Sequence, residues 1–331
     1  MNTTLWVSLL LVPVTAALSA AYATIMKRRS VGQQVRQNGP TAHLRKTGTP
    51  TMGGIVVIGL WLLVVGLLGW RDSCNLRGFV VLCAGLFAVI GAIDDAMGIH
   101  RRHSKGLSGW QKVAACTIIA VGLGLAFPEV LSIPQRVPFT DWTFTLPPVA
   151  AIALVWFVLL ATTNSVNLTD GLDGLASGTT LLSVVGLLII LSAGSPIRPL
   201  LFPLLGILVG FLWINAHPAG LFLGDVGAFG LGGLLAGAAM AGGFVLYVPL
   251  LAGVMVINAV SVILQVSWYR LRNQRLFKMA PLHHHFEASP RTGVTSILPS
   301  PEWPEQKVTL RFWIVQALFV GLAVLASGPG L

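Results

Sequence analysis

Charge is scarce in this chain. Of its 331 residues only 10% are Asp, Glu, Lys or Arg, and the mean hydropathy is +0.81. A soluble domain carries about 25% charged residues, so the shortage excludes a soluble globular protein and leaves an integral membrane protein. Cysteine is scarce as well: Cys74, Cys83 and Cys116 are odd in number and lack zinc or redox spacing, which excludes a disulfide framework and leaves packing as their role. Strict apolar/polar alternation is missing from the long apolar runs, which excludes a transmembrane β-barrel. No basic patch interleaved with aromatics is present, so a nucleic-acid partner is not expected despite the net charge of +10. Internal repeats are absent too, as is any polar stretch long enough to fold alone, and residues 1–331 read as a single polytopic membrane domain.

What is there is an all-α pattern of about ten apolar segments, at 4–26, 51–70, 78–93, 110–127, 147–163, 175–193, 199–214, 228–243, 246–268 and 309–326. Segments of about 16 to 22 residues suit a hydrocarbon core of about 30 Å. The first has no basic residue before it and Lys27, Arg28 and Arg29 after it, so it reads as a retained helix with its N-terminus outside. Threading ten spans from there leaves only Arg71, Arg77, Arg136 and Arg198 of the 21 Lys and Arg outside, and puts the C-terminus outside as well. The outer loop 128–146 alternates around Val137, Phe139, Phe144 and Leu146, which predicts a small β-hairpin.

The polar residues gather at the inner edges of these spans. Asn164, Asn167, Asp170 and Asp173 recur every third residue, which on a helical backbone gives one drifting stripe, with Gly171 and Gly174 loosening the chain after each Asp. A plain polar loop is the alternative. Asp94 and Asp95 follow directly on the third span, at the end of a helix where the macrodipole is negative, so they need a cation. Arg101, Arg102, Lys105, Lys112 or a metal ion can supply it, and a structural salt bridge is the alternative role. Adjacent side chains point about 100° apart, so only one of the pair faces any given ligand. Asp225 lies beside Gly224 at the start of a glycine-rich helix, where capping is the alternative role. Lys46 and Thr51 sit at the membrane edge, Asn215 and His217 precede Asp225, and the long ninth segment carries Asn258 and Gln265. Beyond it, His283, His284 and His285 are framed by Pro281 and Glu287, and the Pro- and Ser-rich stretch 288–307 reads as a flexible inner loop.

The strings GTPTMGG, NSVNLTDGLDGLASG, FLGDVGAFG and PLHHHFE together resemble the phospho-N-acetylmuramoyl-pentapeptide transferases. That family belongs to the superfamily of polyprenyl-phosphate N-acetylhexosamine-1-phosphate transferases. The resemblance implies ten transmembrane helices, a homodimer in the bacterial inner membrane, and an active site open to the cytoplasm. It implies the reaction of UDP-N-acetylmuramoyl-pentapeptide with undecaprenyl phosphate to give UMP and lipid I, with Mg²⁺ as cofactor, in peptidoglycan synthesis. Matched motif by motif, it implies Asp225 as metal ligand, and Asp94, Asp95, Asp170, Asp225, Lys112 and His283 as catalytic. Lys46, Thr51, Asn164, Asn167, Asp173, Asn215, Phe222, Gln265, His284 and His285 fall where the family binds substrate. Two departures stand out: Gly98 replaces the lysine of the family's DDxxK, with Arg101 or Arg102 as substitutes, and the link from Phe286 to Val308 is longer and expected to be peripheral. A related transferase using UDP-N-acetylglucosamine is the nearest alternative. A transporter also buries polar groups in broken helices, but near the midplane rather than at one face.

Overall fold

A computed structural model of the chain describes residues 2–29, 48–68, 75–100, 106–288 and 295–328. In chain order the helices are α1 (Asn2–Arg28), α2 (Gly54–Leu67), α3 (Asn75–His100), α4 (Gly109–Ala126), the short α5 (Pro128–Leu131), α6 (Pro148–Thr169) and α7 (Leu175–Ile190). They continue with α8 (Arg198–Asn215), α9 (Gly224–Ala241), the short α10 (Val248–Leu251), α11 (Gly253–Arg272), the short α12 (Leu282–Phe286) and α13 (Glu305–Ala326). Among the described residues, eight helices are long and apolar enough to cross a membrane. The apolar helices α2 and α7, of 14 and 16 residues, are shorter. The protein is thus an all-α, multi-pass membrane protein.

The hairpin expected within 128–146 is present but small. β1 (Gln135–Arg136) pairs antiparallel with β2 (Thr143–Phe144), and its loop is fastened to the helix ends by Arg136 N–H to Gly243 O at 2.8 Å and Phe139 N–H to Ala326 O at 2.9 Å. The ninth segment is not one helix. A 3-10 turn at Val245–Tyr247 and α10 come first, and the chain breaks at Ala252 before α11. A break in an apolar helix strands backbone groups that lipid cannot satisfy. The buried Gln316 of α13 takes them up, donating to Leu251 O at 2.6 Å and accepting from Val254 N–H at 3.0 Å.

The centre of the bundle is α9, in which every residue from Val226 to Ala241 is buried. Lipid offers no hydrophobic drive for helices to associate, so close backbone approach through small residues must do it. Cβ atoms added at Gly54 and Gly233 would fall closer than 3.0 Å to Gly227 of α9 and to Cys83 of α3 respectively. One added at Gly91 would fall as close to the Asp225 carbonyl, so α3 and α9 touch backbone to backbone one turn from Asp94 and Asp95. Ser8 and Val12 of α1 lie against Gly206 and Gly210 of α8 in the same order along both helices, so these two run parallel. The basic end of α1, Lys27 and Arg28, therefore lies on the face where α8 ends in Asn215.

Gly91→Ala is expected to lower thermal stability in detergent by about 1–3 kcal/mol, because an extra methyl at a backbone contact forces α3 and α9 apart. Gly85→Ala, in the same helix but facing open space, is expected to hold or slightly raise it. Equal melting temperatures for the two variants would contradict this packing.

Candidate active site

Asp94 and Asp95 do not end their helix, as the apolar run suggested: α3 continues to His100 and both carboxylates lie within its last two turns. Their neighbours diverge, as two adjacent helical positions must. Asp94 is buried, accepts from Leu107 N–H at 2.5 Å, and is paired through its other oxygen with Lys112 Nζ at 2.5 Å. The same ammonium lies 2.8 Å from Asp225 Oδ2. The other oxygen of Asp225 accepts from Asn167 Nδ2 at 2.7 Å. Asp95 turns to the backbone of α9, where its Oδ2 accepts from Val226 N–H at 3.1 Å. Asp170, in the α6–α7 turn, accepts from Gly224 N–H at 3.1 Å.

Two of these carboxylates, on α3 and in the α6–α7 turn, thus cap the first turn of α9 from outside. The negative end of α3 is a poor place for an anion, and the positive end of α9 compensates. The oxygens of Asp225, the second residue of α9, are directed to Lys112 and Asn167. The cation that Asp94 and Asp95 required is Lys112. Arg101, Arg102 and Lys105 lie outside the described residues, as do Lys46 and Cys74.

Around this centre the other expected residues are spread. Thr51 is buried beside Gly224, on a loop whose backbone ladders with the approach to α9: Phe222 N–H to Pro50 O at 2.9 Å, Gly53 N–H to Phe222 O at 2.8 Å, Gly54 N–H to Leu223 O at 2.8 Å. That ladder places Phe222 at the edge of the cluster. Asn215 is buried and braces the same loop, accepting from Ser177 Oγ at 2.5 Å and donating to Leu221 O at 2.9 Å. Asn164 donates back to Leu160 O within α6 at 2.8 Å. The expected polar stripe therefore reaches only to Asn167: α6 ends at Thr169, and Gly174, at φ +71°, starts α7 in a new direction.

The turn sends Asp173 elsewhere. Its Oδ2 lies 2.9 Å from His217 Nδ1 and accepts from Ala219 N–H at 3.1 Å, while Glu305 Oε1 accepts from Asp173 N–H at 2.8 Å. Glu305 Oε2 is 3.7 Å from the same imidazole nitrogen. Asp173, His217 and Glu305 offer ligand atoms within 4.8 Å of one another, a set able to hold a metal ion. Glu305 was not foreseen, for it sits in no motif and more than a hundred residues from its partner.

The three histidines take separate roles. His283 is fully buried, with Nε2 against Gly171, and His284 also faces Gly171 while its Nδ1 lies 2.9 Å from Glu287 Oε2. His285 turns into its own loop. Its Nδ1 accepts from Lys278 N–H at 3.1 Å and its other nitrogen bonds to the Pro299 backbone. Burial, with Lys278 nearby, lowers its pKa from 6.5. Gln265 likewise spends its amide on the Phe277 backbone, with bonds of 2.8 and 3.1 Å. The long link is not peripheral: Trp303 stacks on Phe286 at 5.1 Å and exchanges backbone bonds with Phe286 and Ala288, and Ser300 donates to His285 O at 2.5 Å.

Carboxylates, a lysine and amides converging on one helix N-terminus at the edge of a helical bundle suit the handling of phosphate groups. Residues 78–243 match the family described as glycosyl transferase family 4. Over 335 residues the chain is 38% identical to the phospho-N-acetylmuramoyl-pentapeptide-transferase of Desulforudis audaxviator, covering 96% of each. It is 37% identical over 308 residues to the protein of that name from Clostridium acetobutylicum, covering 92% of this chain and 93% of the relative. The Rubrobacter xylanophilus protein of that name is 36% identical over 321 residues, with 94% and 93% covered. The chain belongs to the phospho-N-acetylmuramoyl-pentapeptide transferase family.

Removing the shared cation leaves Asp94 and Asp225 facing each other, so Lys112→Met is expected to cost about 3 kcal/mol of stability. The double variant with Asp94→Asn should recover part of that loss in a thermal melt; no recovery would mean that Lys112 acts through packing alone. A second expectation concerns pH. The folded state resists protonating His285, so its contribution is fully present above the unfolded value of 6.5 and is lost as pH falls below it. The melting temperature of wild type should drop between about pH 7 and about pH 5 more steeply than that of His285→Asn, which cannot titrate. Parallel profiles would contradict the buried, neutral His285.

Proposed function

We propose that this chain transfers phospho-N-acetylmuramoyl-pentapeptide from its UDP derivative to undecaprenyl phosphate, yielding lipid I and UMP in peptidoglycan synthesis. Its family membership supports this, and the observation that carries it is the group Asp225–Lys112–Asn167–Asp94 at the start of α9. The acceptor is itself an anionic nucleophile. Its phosphate oxygen forms a bond to the phosphorus attached to the sugar, the bond from that phosphorus to the UMP oxygen breaks, and UMP leaves with the electron pair.

Bringing two phosphorylated substrates together is mainly a matter of charge. Lys112 supplies one fixed cation at the membrane edge. Asn167 holds the Asp225 carboxylate in one orientation, and Asp95 and Asp170 hold the first turn of α9 in place beneath it. A phosphate monoester has its second pKa near about 6, so the acceptor is largely ionised at neutral pH and little general-base help is required. The donors at Asp225 and Asp94 are all hard oxygens, which fit Mg²⁺. Bound there by Asp225, Mg²⁺ would neutralise the diphosphate and the departing UMP. Thr51, Asn164, Asn167, Asp173, Asn215, Phe222, Gln265, His284 and His285, with Lys46, are assigned to substrate, and His283 to the reacting centre.

The same reading makes the chain one membrane domain of ten crossings, with both termini outside and the active site on the cytoplasmic side of the bacterial inner membrane, working as a homodimer. Lys27 and Arg28 on the face of the acidic cluster support this orientation.

The test is Asp225→Asn. An amide keeps an oxygen donor but no charge, so UMP release by the purified protein should fall at least about a hundredfold at low Mg²⁺, with an unchanged melting temperature. Normal turnover with an unchanged magnesium midpoint would overturn the assignment of the metal to Asp225.

A further inference from the structure

Asn258 is an expensive residue where it stands, a fully buried amide in the second turn of a membrane-length helix. Its partners show what it does. Nδ2 donates to Thr169 Oγ1 at 3.1 Å, and Oδ1 accepts from His283 N–H at 3.3 Å. Thr169 is itself fully buried, is the last residue of α6, and immediately precedes Asp170, whose carboxylate caps α9. One amide therefore joins the end of α6, the body of α11 and the first turn of α12.

Seven residues on, two turns along the same face of α11, Gln265 repeats the device. Its amide bonds both backbone groups of Phe277. The segment from Phe277 to His283 is thus pinned at both ends to α11. Between the pins, Lys278 N–H donates to His285, which closes the segment on itself. The outcome is that the imidazoles of His283 and His284 rest against Gly171, next to Asp170.

We infer that Asn258 is a positioning residue, which sets the register of His283 over the Asp170–Gly171 turn and acts on phosphosugar transfer only through it. This rests on the activity proposed above and on the place of His283 in it. A neutral amide suits the task, because it offers one donor and one acceptor to two elements at once without a buried charge. Gln265 is the second pin, and Thr169 the anchor on the reaction side.

The test compares Asn258→Leu, close in volume but without hydrogen bonds, with Thr169→Val, which removes only the hydroxyl. In Asn258→Leu, kcat for UMP release is expected to fall about tenfold or more while KM for both substrates changes less than about threefold. Thr169→Val should show the same split at smaller amplitude. In a His283→Ala background, Asn258→Leu should add less than about twofold; a full multiplicative loss would overturn action through the histidine. Hydrogen exchange gives a readout independent of turnover: the amides of 282–286 should exchange at least about tenfold faster in Asn258→Leu. Unchanged exchange and unchanged kcat would overturn the inference. Wild type that releases no UMP would instead count against the activity, and exchange alone would then decide the positioning.

Discussion

Carboxylates at the edge of a hydrocarbon layer persist only where something offsets their charge, and here a single ammonium does so for two of them. Lys112, reaching from α4 to Asp94 of α3 and Asp225 of α9, is the contact on which the rest of the site depends. With the charge of these two acids partly offset, Asp95 and Asp170 bond instead to the amides that open α9. The negative end of one helix and the positive end of another are thereby brought to the same place. What results is an anionic cluster with a built-in cation and a fixed dipole.

That arrangement requires α3 and α9 to approach more closely than side chains allow. Gly91 against Asp225, Gly54 against Gly227 and Gly233 against Cys83 provide the approach, and because α9 is buried along its length its first turn has little freedom to move. Where the packing interrupts a helix, neutral amides repair it: Gln316 at the Ala252 break, Asn215 under the loop that leads to Asp225, and Asn258 and Gln265 beneath the histidines. Amides are suited to these positions because they satisfy donors and acceptors together and carry no charge to desolvate.

Much of this was legible in the residues alone. The apolar runs marked every long helix, because lipid-facing helices carry a continuous signal, and the hairpin within 128–146 followed from alternation around Phe139 and Phe144. The Asp-Asp pair, Asp225 and the histidine run announced themselves as polar groups where polar groups are costly. What was not legible depended on how chain ends fold back. Lys112 meets Asp94 from the first turn of α4, 18 residues on, a pairing across two helices that spacing along the chain does not reveal. Asp170 and Asp173 part company because α6 ends at Thr169 and the backbone leaves the helical region at Asp170, which no three-residue period reveals. Glu305 at the start of α13 and His217 between α8 and α9 join Asp173 from distant parts of the chain, and Ser300 and Trp303 are held by bonds to His285, Phe286 and Ala288 where composition alone describes a loose Pro- and Ser-rich loop.

The most direct measurement of the central claim is UMP release by the purified protein with undecaprenyl phosphate and Mg²⁺, offered UDP-N-acetylmuramoyl-pentapeptide or UDP-N-acetylglucosamine in parallel. The site described here predicts UMP and a lipid-linked product in equal amounts from the first nucleotide sugar, and neither from the second. Turnover with UDP-N-acetylglucosamine, or no UMP from either, would contradict it.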